Sequence, residues 1–339
     1  MPPKGASGPQ EGKYDQFNDE ASNYFQVADL NDADVLVYPH NAQTDPEGAR
    51  LVSEMARRRG LGAVFTSWGD ADIPVQVPYG TVYRHSLNAR TRFKNELAMP
   101  AFCADPLDDF GGMTLTREKT LYPSVAFCGF VSNPLMRSIY RMSGRKEKAA
   151  GLTLRSQVLR SFRHPDVRTD FIRRNSFFAG TQSRFHHDAD AQATVWQEFL
   201  HNVLDSDYTI CVRGTGNFSY RFYEVLAAGR IPVFINTDCV LPFEDEIDWR
   251  RHCVWIEKDE LADAAEIVAF FHASLSNDEF VALQMENRAL WENRLSPLAF
   301  YRSALANAAA VSDFGAYQAN HLPETTPRRP VRQLVSAMS

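Results

Sequence analysis

Runs of β-branched residues alternate with helical segments in two blocks along this chain of 339 residues. In the first block, strand-like runs at 34–38 and 62–68 flank a helix for which Asp45 is the expected N-cap and Gly60 the stop. A strand, a helix and a strand within about 35 residues predict a βαβ unit and a parallel sheet. The pattern breaks over the Pro-, Gly- and Asp-rich segment 100–123 and then resumes.

The break predicts a linker between two Rossmann-like domains that face each other across a cleft. We expect an N-terminal domain over 21–115 and a C-terminal domain over 116–312 that ends in several helices. Residues 1–20 are expected to be a disordered leader and 313–339 a loose tail. Ligands of such sheets bind beyond the carboxyl ends of the strands, so the cleft is the expected site.

The composition is that of a soluble globular protein, with 44% apolar and 23% charged residues. A net charge of −6 argues against a nucleic-acid binder with a broad basic surface. No apolar run reaches the roughly 18 residues that would span a bilayer. The five cysteines form no CxxC pair, which favours a reducing compartment. The expected location is the cytoplasm, including a peripheral position at the inner face of the membrane.

The segment 211–236 gives the strongest indication of a binding site. A strand-like run ends at Val212, two glycines follow at Gly214 and Gly216, and a helix begins near Ser219. Glycines with positive φ let the backbone approach a ligand closely. The first N–H groups of a helix have no partner within it and attract anions. The turn therefore predicts a phosphate site.

Three charged side chains around this turn suit a nucleoside diphosphate. Arg213 and Arg221 can donate charge-assisted hydrogen bonds to phosphate oxygens. Glu224 shares a helix face with Arg221 and would meet the ribose of a nucleotide whose diphosphate lies at the helix N-terminus. The alternative is an ordinary glycine turn with an Arg221–Glu224 ion pair on the surface, and spacing alone leaves both open.

Residues 213–249, RGTGNFSYRFYEVLAAGRIPVFINTDCVLPFEDEIDW, closely resemble the signature segment of the exostosin-family glycosyltransferases. Looser similarities, in NELAMPAF, PSVAFCGF and NRALWENRLSPLAFYRS, extend the resemblance over most of 30–305. It implies a GT-B architecture, a nucleotide-sugar donor and inversion at the anomeric carbon. Eukaryotic members have a Golgi membrane anchor that is not seen in this sequence, so the chain looks more like a soluble, bacterial-like member.

The resemblance also implies roles for individual residues. The diphosphate would be held by Arg213, Ser219 and Arg221, and the ribose by Glu224. Gly129 and the residues after it follow the first strand of the second domain and match the family less closely. The complete donor-binding site that the resemblance implies consists of Arg213, Gly214, Gly216, Ser219, Tyr220, Arg221, Glu224, Gly129 and Arg137.

The expected donor is a nucleotide sugar, with a UDP-sugar favoured over a GDP-sugar and no metal or other cofactor required. The expected acceptor is a glycan or a lipid-linked glycan, and nucleic acid is not expected as a partner. Two alternatives stay open. One is a fucosyltransferase-like GT-B enzyme that uses a GDP-sugar, and the other is a glycan-binding protein that has kept the fold without turnover.

A GT-A enzyme would instead bind a metal through an Asp-x-Asp triplet after a strand. Four such triplets occur, and that of Asp70 and Asp72 is the competitor because it follows a strand-like run. The His- and Asp-rich cluster at 186–190 could also hold a metal. A helix start with Asp188 as N-cap is the simpler interpretation.

Inversion by single displacement needs a base that accepts the proton of the acceptor hydroxyl. The base should come from the first domain, and the sequence leaves His40, Asp70 and Glu96 as candidates.

The basic run 84–94 offers Arg84 and Arg90 for binding an acidic or lipid-linked acceptor. The alternative for this run is a solvated face whose arginines pair with local acids.

Overall fold

The computed structural model describes residues 12–108, 111–183, 186–187 and 189–310. It contains two parallel sheets with helices packed on them, one in each half of the chain. The leader residues 1–11, the tail 313–339 and Asp188 lie outside the described residues.

The N-terminal sheet has four parallel strands that lie in chain order. They are β1 (Val35–Asn41), β2 (Gly62–Ser67), β3 (Thr81–Arg84) and β4 (Glu96–Ala98). α1 (Asp15–Glu20) precedes them, and α2 (Pro46–Arg59) joins β1 to β2. Asp45 caps α2 as predicted, because its carboxylate accepts a 3.0 Å hydrogen bond from Gly48 N–H. Gly60 ends the helix in the left-handed conformation, at a φ of 69°.

The C-terminal sheet has five parallel strands in the order β6-β5-β9-β10-β11. They are β5 (Ser124–Phe130), β6 (Arg168–Arg174), β9 (Tyr208–Cys211), β10 (Ile231–Asn236) and β11 (Val254–Glu257). The chain proceeds outward in opposite directions from the neighbouring pair β5 and β9, so a crevice opens at their carboxyl ends. The predicted fold class, with two parallel α/β units in the GT-B manner, is confirmed.

The remaining elements surround the C-terminal sheet or cross between the units. A short antiparallel ribbon consists of β7 (Gln182–Ser183) and β8 (His186–His187). The helices are α3 (Pro134–Met142), α4 (Lys146–Ser161), α5 (Ala189–Leu204), α6 (Tyr220–Ala227), α7 (Trp249–His252), α8 (Ala264–Ser274), α9 (Asn277–Leu290) and α10 (Pro297–Ala310). A π-helical turn, Trp291–Leu295, connects α9 to α10.

Helices cover both faces of the C-terminal sheet, which explains why its central strands β9 and β10 are almost continuously apolar. Successive residues of β9 face opposite sides: Ile210 lies in the cluster with Val158 of α4, and Cys211 in the cluster with Phe222 of α6. A strand buried on both faces carries apolar residues throughout instead of alternating them with polar ones.

Two predicted domain boundaries are wrong. Residues 12–20 of the expected leader are ordered, because Phe17 packs on Tyr301 of α10 with ring centroids 5.3 Å apart. α10 itself belongs to the N-terminal sheet and not to the C-terminal domain. Phe300 is fully buried there, with its ring 5.1 Å from that of Tyr83. The sequence predicted helices at the C-terminal end but did not indicate which sheet the last of them covers.

The segment 100–123 is not a free linker over its described part. Cys103 and Leu107 are buried in the same core as α6. Arg117 N–H donates a 2.9 Å hydrogen bond to Gln284 Oε1 of α9. Proline and glycine shape its turns, but Ala101, Cys103 and Leu107 between them pack onto the C-terminal unit.

Replacing Phe300 by alanine should lower the free energy of unfolding by about 3–5 kcal/mol, because it empties a fully buried aromatic site. The matched control is Phe270→Ala on α8, where the side chain is 77% exposed and the expected loss is below about 0.5 kcal/mol. Urea denaturation of both variants measures the difference. Equal losses would contradict the placement of α10.

Candidate active-site cleft

A cavity of about 630 Å³ opens at the carboxyl ends of β5 and β9. Its volume falls within the roughly 300–1,000 Å³ of small-molecule sites. The walls come from the end of β5, the glycine turn after β9, helices α4, α5 and α6, and a loop of the N-terminal unit. The sequence-predicted residues that line it are Asp70, Gly129, Gly214, Gly216, Ser219, Tyr220, Arg221 and Glu224.

The glycines of the turn serve close packing. Neither Gly214 nor Gly216 has a positive φ, which corrects that part of the prediction. A Cβ on Gly216 would lie 2.9 Å from the Cα of Asp70, so only glycine lets the N-terminal loop come this near. A Cβ on Gly151 of α4 would collide with the carbonyl oxygen of Gly214. The turn is therefore held between α4 and the opposite unit.

α6 presents its N-terminus to this cavity. Ser219 is the N-cap, but its side chain makes no capping hydrogen bond, and it lines the cavity. The first-turn N–H groups of a helix have no partner within it and carry partial positive charge. α6 is buried from Phe222 to Ala227, so it is covered on more than one face. The reason is α9, whose Arg288 donates to the carbonyl of Ala227.

Arg221 and Glu224 form a buried ion pair at the cavity wall. Arg221 Nη1 lies 2.8 Å from Glu224 Oε2, and Arg221 Nη2 donates to the carbonyl oxygen of Cys128 at 3.0 Å. The guanidinium also lies 3.6 Å from the ring centroid of Phe199. Glu224 is only 6% exposed, and burial raises the pKa of its carboxyl although Arg221 opposes the shift. The alternative of a pair on the protein surface does not match this geometry.

Arg155 of α4 is a cavity residue that the sequence did not reveal. Its Nε donates to the carbonyl of Arg213 and its Nη1 to that of Phe130, both at 3.2 Å, so it bridges the ends of β9 and β5. Burial and, secondarily, the charge of Arg221 lower the pKa of Arg155 to about 10, which leaves it charged at neutral pH. Among the residues that the structure describes, four cations line the cavity: Lys148, Arg155, Arg174 and Arg221.

Two arginines that were predicted to bind the nucleotide-sugar donor do not direct their guanidinium groups into the cavity. Arg213 donates to the carbonyl of Thr215 at 2.7 Å and pairs with Glu147 at 3.2 Å. Arg137 donates to Ser156 Oγ on α4. Neither lines the cavity, so both arginines stabilise the walls around it.

The three base candidates have different surroundings. Asp70 lines the cavity from the N-terminal unit, opposite α6. His40 is exposed and lies outside the cavity lining. Glu96 is fully buried and accepts hydrogen bonds from Val75 N–H at 2.7 Å and from Arg84 Nη1 at 2.6 Å. Glu96 therefore cannot meet an acceptor, and its prediction as a base is wrong.

The basic run 84–94 is mostly neutralised by acids. Arg84 is 1% exposed and pairs with Glu96, which makes its predicted role in acceptor binding wrong. Arg90 is exposed beside Asp238, at 3.4 Å, and does not line the cavity. The alternative that these arginines pair with acids describes this surface better.

The two aspartates of the Asp-x-Asp triplet considered as a metal site have different surroundings. Asp70 lines the cavity, whereas Asp72 lies 3.7 Å from the buried guanidinium of Arg84. Among the described residues, no group of three or more His, Cys, Asp or Glu side chains is arranged to hold a metal ion. None of the described helices combines the length and the hydrophobicity that a bilayer crossing requires.

His85 supports the glycine turn from the N-terminal unit. Its ring packs on Phe218 and Tyr220, with centroid distances of 5.4 and 6.1 Å. Burial and, secondarily, the charge of Lys13 lower the pKa of His85 to about 4, so the imidazole is neutral at pH 7. It fills the space between the units without adding charge to the cavity.

Residues 138–271 match the sequence profile of the family described as the Exostosin GT47 domain. Exostosin-1 of Drosophila melanogaster is 35% identical over 99 residues, and Exostosin-1a of Danio rerio is 32% identical over 97 residues. Each match covers 29% of this chain and 12% of the relative. The matches support the resemblance to exostosin-family glycosyltransferases, and the profile match includes the cavity residues of α4, α5 and α6.

Two solved structures share a distant overall similarity. The crystal structure of TarM has a TM-score of 0.34 at 10% identity and covers 78% of this chain and 58% of that chain. The catalytic domain of starch synthase IV from Arabidopsis thaliana, bound to ADP and acarbose, has a TM-score of 0.26 at 12% identity and covers 61% of this chain and 42% of that chain. The fold of this chain is assigned from its own strand order and not from these two structures.

Glu224→Gln should change how stability depends on pH. The folded chain holds a proton on Glu224 more tightly than the unfolded chain, so wild-type stability falls as pH rises from the ordinary carboxyl pKa of 4.5 through the raised value. The amide variant lacks this decline. Its free energy of unfolding, relative to wild type, should therefore rise with pH over this window and then level off. Denaturant titrations at several pH values measure the difference, and a pH-independent difference would contradict a raised pKa.

Proposed function

We propose that this chain is an inverting glycosyltransferase that moves a sugar from a nucleotide-sugar donor to a hydroxyl group of a glycan or lipid-linked glycan. The observation that carries the proposal is a single cavity at the switch point of a parallel sheet. There, cations of α4 and α6 and the buried acid Glu224 face Asp70 of the other unit. One unit can thus hold an anionic donor while the other supplies a base.

The donor diphosphate is proposed to lie at the N-terminus of α6. The helix dipole, the unengaged hydroxyl of Ser219 and the guanidinium groups of Arg155 and Arg221 all favour an anion there. These groups are fixed before the donor arrives, because Arg155 and Arg221 are each anchored to strand-end carbonyls. Fixed donors of this kind stabilise negative charge that develops on a leaving diphosphate.

The donor ribose is proposed to bind Glu224. Arg221 occupies Oε2 of this carboxylate, and a carboxylate has two oxygens with about four acceptor positions in all. Oε1 can therefore accept from a ribose hydroxyl. A buried acid with a raised pKa costs stability, which is commonly tolerated where a ligand supplies the missing hydrogen-bond donors.

Asp70 is the proposed base. It would take the proton of the acceptor hydroxyl while that oxygen attacks the anomeric carbon and the diphosphate departs toward α6. The leaving group is held by arginines and a helix, so the scheme works without a metal. A UDP-sugar remains the first choice of donor. A reducing compartment is proposed as the location, in keeping with five cysteines that are all free.

Arg155→Ala should weaken nucleoside diphosphate binding by roughly 10- to 150-fold, the effect of losing a charge-assisted hydrogen bond. The affinity for the free nucleoside should hardly change. Arg137→Ala is the matched control, because this arginine contacts Ser156 outside the cavity. Calorimetric titration with UDP and uridine measures both, and equal effects of the two substitutions on UDP would contradict the diphosphate position.

Asp70→Asn should reduce kcat by about 10²–10⁴-fold, the usual contribution of a positioned base, while donor affinity stays near wild type. His40→Gln should retain activity, since His40 lies outside the cavity lining. Turnover with UDP-sugars is the measurement, with EDTA and with Mn²⁺ as parallel conditions. Wild-type turnover in the Asp70 variant would exclude it as the base. Loss of wild-type activity in EDTA and its return with Mn²⁺ would assign Asp70 to a metal instead.

A further inference from the structure

The outer face of α3 carries an apolar stripe that the described residues leave uncovered. Leu135, Ile139 and Met142 are 69%, 46% and 87% exposed. Their spacing of four and three residues places them on one side of the helix. α3 has no buried residue, although an amphipathic helix of a globular protein normally packs its apolar side against the core.

The surroundings of this stripe are strongly basic. Residues 134–148 contain five cations, Arg137, Arg141, Arg145, Lys146 and Lys148, and one acid, Glu147, in a chain whose net charge is −6. Glu147 is paired with Arg213. Arg141, Arg145 and Lys146 are exposed at the C-terminal end of the stripe and just beyond it. Positive charge and apolar surface therefore meet at one place on an otherwise acidic protein.

The opposite side of α3 fixes its orientation relative to the cavity. Arg137 bonds to Ser156 of α4, and the ring centroid of Tyr140 lies 4.5 Å from Lys148 Nζ, which lines the cavity. These contacts turn Arg137 and Tyr140 toward α4 and leave the stripe facing outward. The exposed stripe thus lies one helix away from the cavity wall.

We propose that this face of α3, with Arg141, Arg145 and Lys146, docks the protein on a bilayer surface that contains anionic lipids. Helices that lie in the membrane interface combine an apolar side with lysine and arginine at its edge. Anionic headgroups attract such cations, and the apolar side chains enter the boundary between headgroups and acyl chains. A docked α3 would hold the cavity near the membrane surface, where a lipid-linked acceptor is found. The docking itself does not depend on the proposed glycosyl transfer.

Sedimentation of the full chain with vesicles tests this proposal. We expect binding to vesicles of equal parts phosphatidylcholine and phosphatidylglycerol, and little binding to phosphatidylcholine alone. The double variant Ile139→Glu/Met142→Glu should lose at least tenfold in partitioning. Phe270→Glu is the matched control, because Phe270 is an equally exposed apolar residue on α8 and should leave binding unchanged.

A second pair of substitutions separates charge from apolar contact. Arg141→Ala and Arg145→Ala should each weaken partitioning by about fivefold at low salt, the usual effect of one cation near an anionic surface. The helix and the free energy of unfolding should be preserved in every variant, as circular dichroism and denaturation will show, because these side chains are exposed.

Three results would overturn the proposal. The first is a wild-type chain that does not bind the anionic vesicles. The second is an α3 double variant that binds them as well as wild type or as the Phe270 variant. The third is a wild-type dimer in light scattering that the α3 substitutions dissociate, since a second copy of the chain would then cover the stripe.

Discussion

Asn217, which is buried, joins the two halves of the molecule through three hydrogen bonds, two to the N-terminal unit and one within its own. Its backbone N–H donates to Ser86 Oγ at 2.9 Å and its side-chain Nδ2 to the carbonyl of Leu87 at 3.2 Å, both in the N-terminal unit. Its Oδ1 accepts from Thr237 Oγ1 at 2.6 Å. A buried amide with its hydrogen bonds satisfied favours one arrangement over others, because any shift leaves polar groups unpaired. The glycine turn, and with it the cavity, takes its position from this residue.

The charged groups around the cavity interact unfavourably with one another and with their buried surroundings. Several cations converge on a cavity whose acids are Asp70 and Glu224, and burial shifts the pKa of Arg155 downward and that of Glu224 upward. Without a ligand, such a site lowers the stability of the fold. The strand-end carbonyls that anchor Arg155 and Arg221 offset part of this cost and fix the direction of each guanidinium. An anionic ligand would find these groups already oriented.

The sequence predicted what local chemistry controls. The Asp45 cap, the Gly60 stop, the strands on either side of the glycine turn and the cavity position of Arg221 and Glu224 follow from short-range patterns. Long-range packing could not be predicted from the sequence. Nothing in α4 marks Arg155 as a neighbour of a turn nearly sixty residues later, since the link is a contact between Gly151 and Gly214.

The same limit explains the wrong predictions. Glu96 and Arg84 are polar, and a single sequence does not show that they bury each other. The sequence predicted a helix at α10 without indicating which core it packs on, so the boundary of the C-terminal domain was placed too late.

The return of α10 to the N-terminal sheet has a mechanical consequence. The backbone crosses between the units twice, once before β5 and once through the π-helical turn Trp291–Leu295. Two bodies joined by a single strand can twist and swing in any direction, whereas two crossing points define a line about which they rotate. Of the relative motions of the two units, rotation about this line therefore strains the connecting backbone least, and it is the motion that would change the width of the cavity between them.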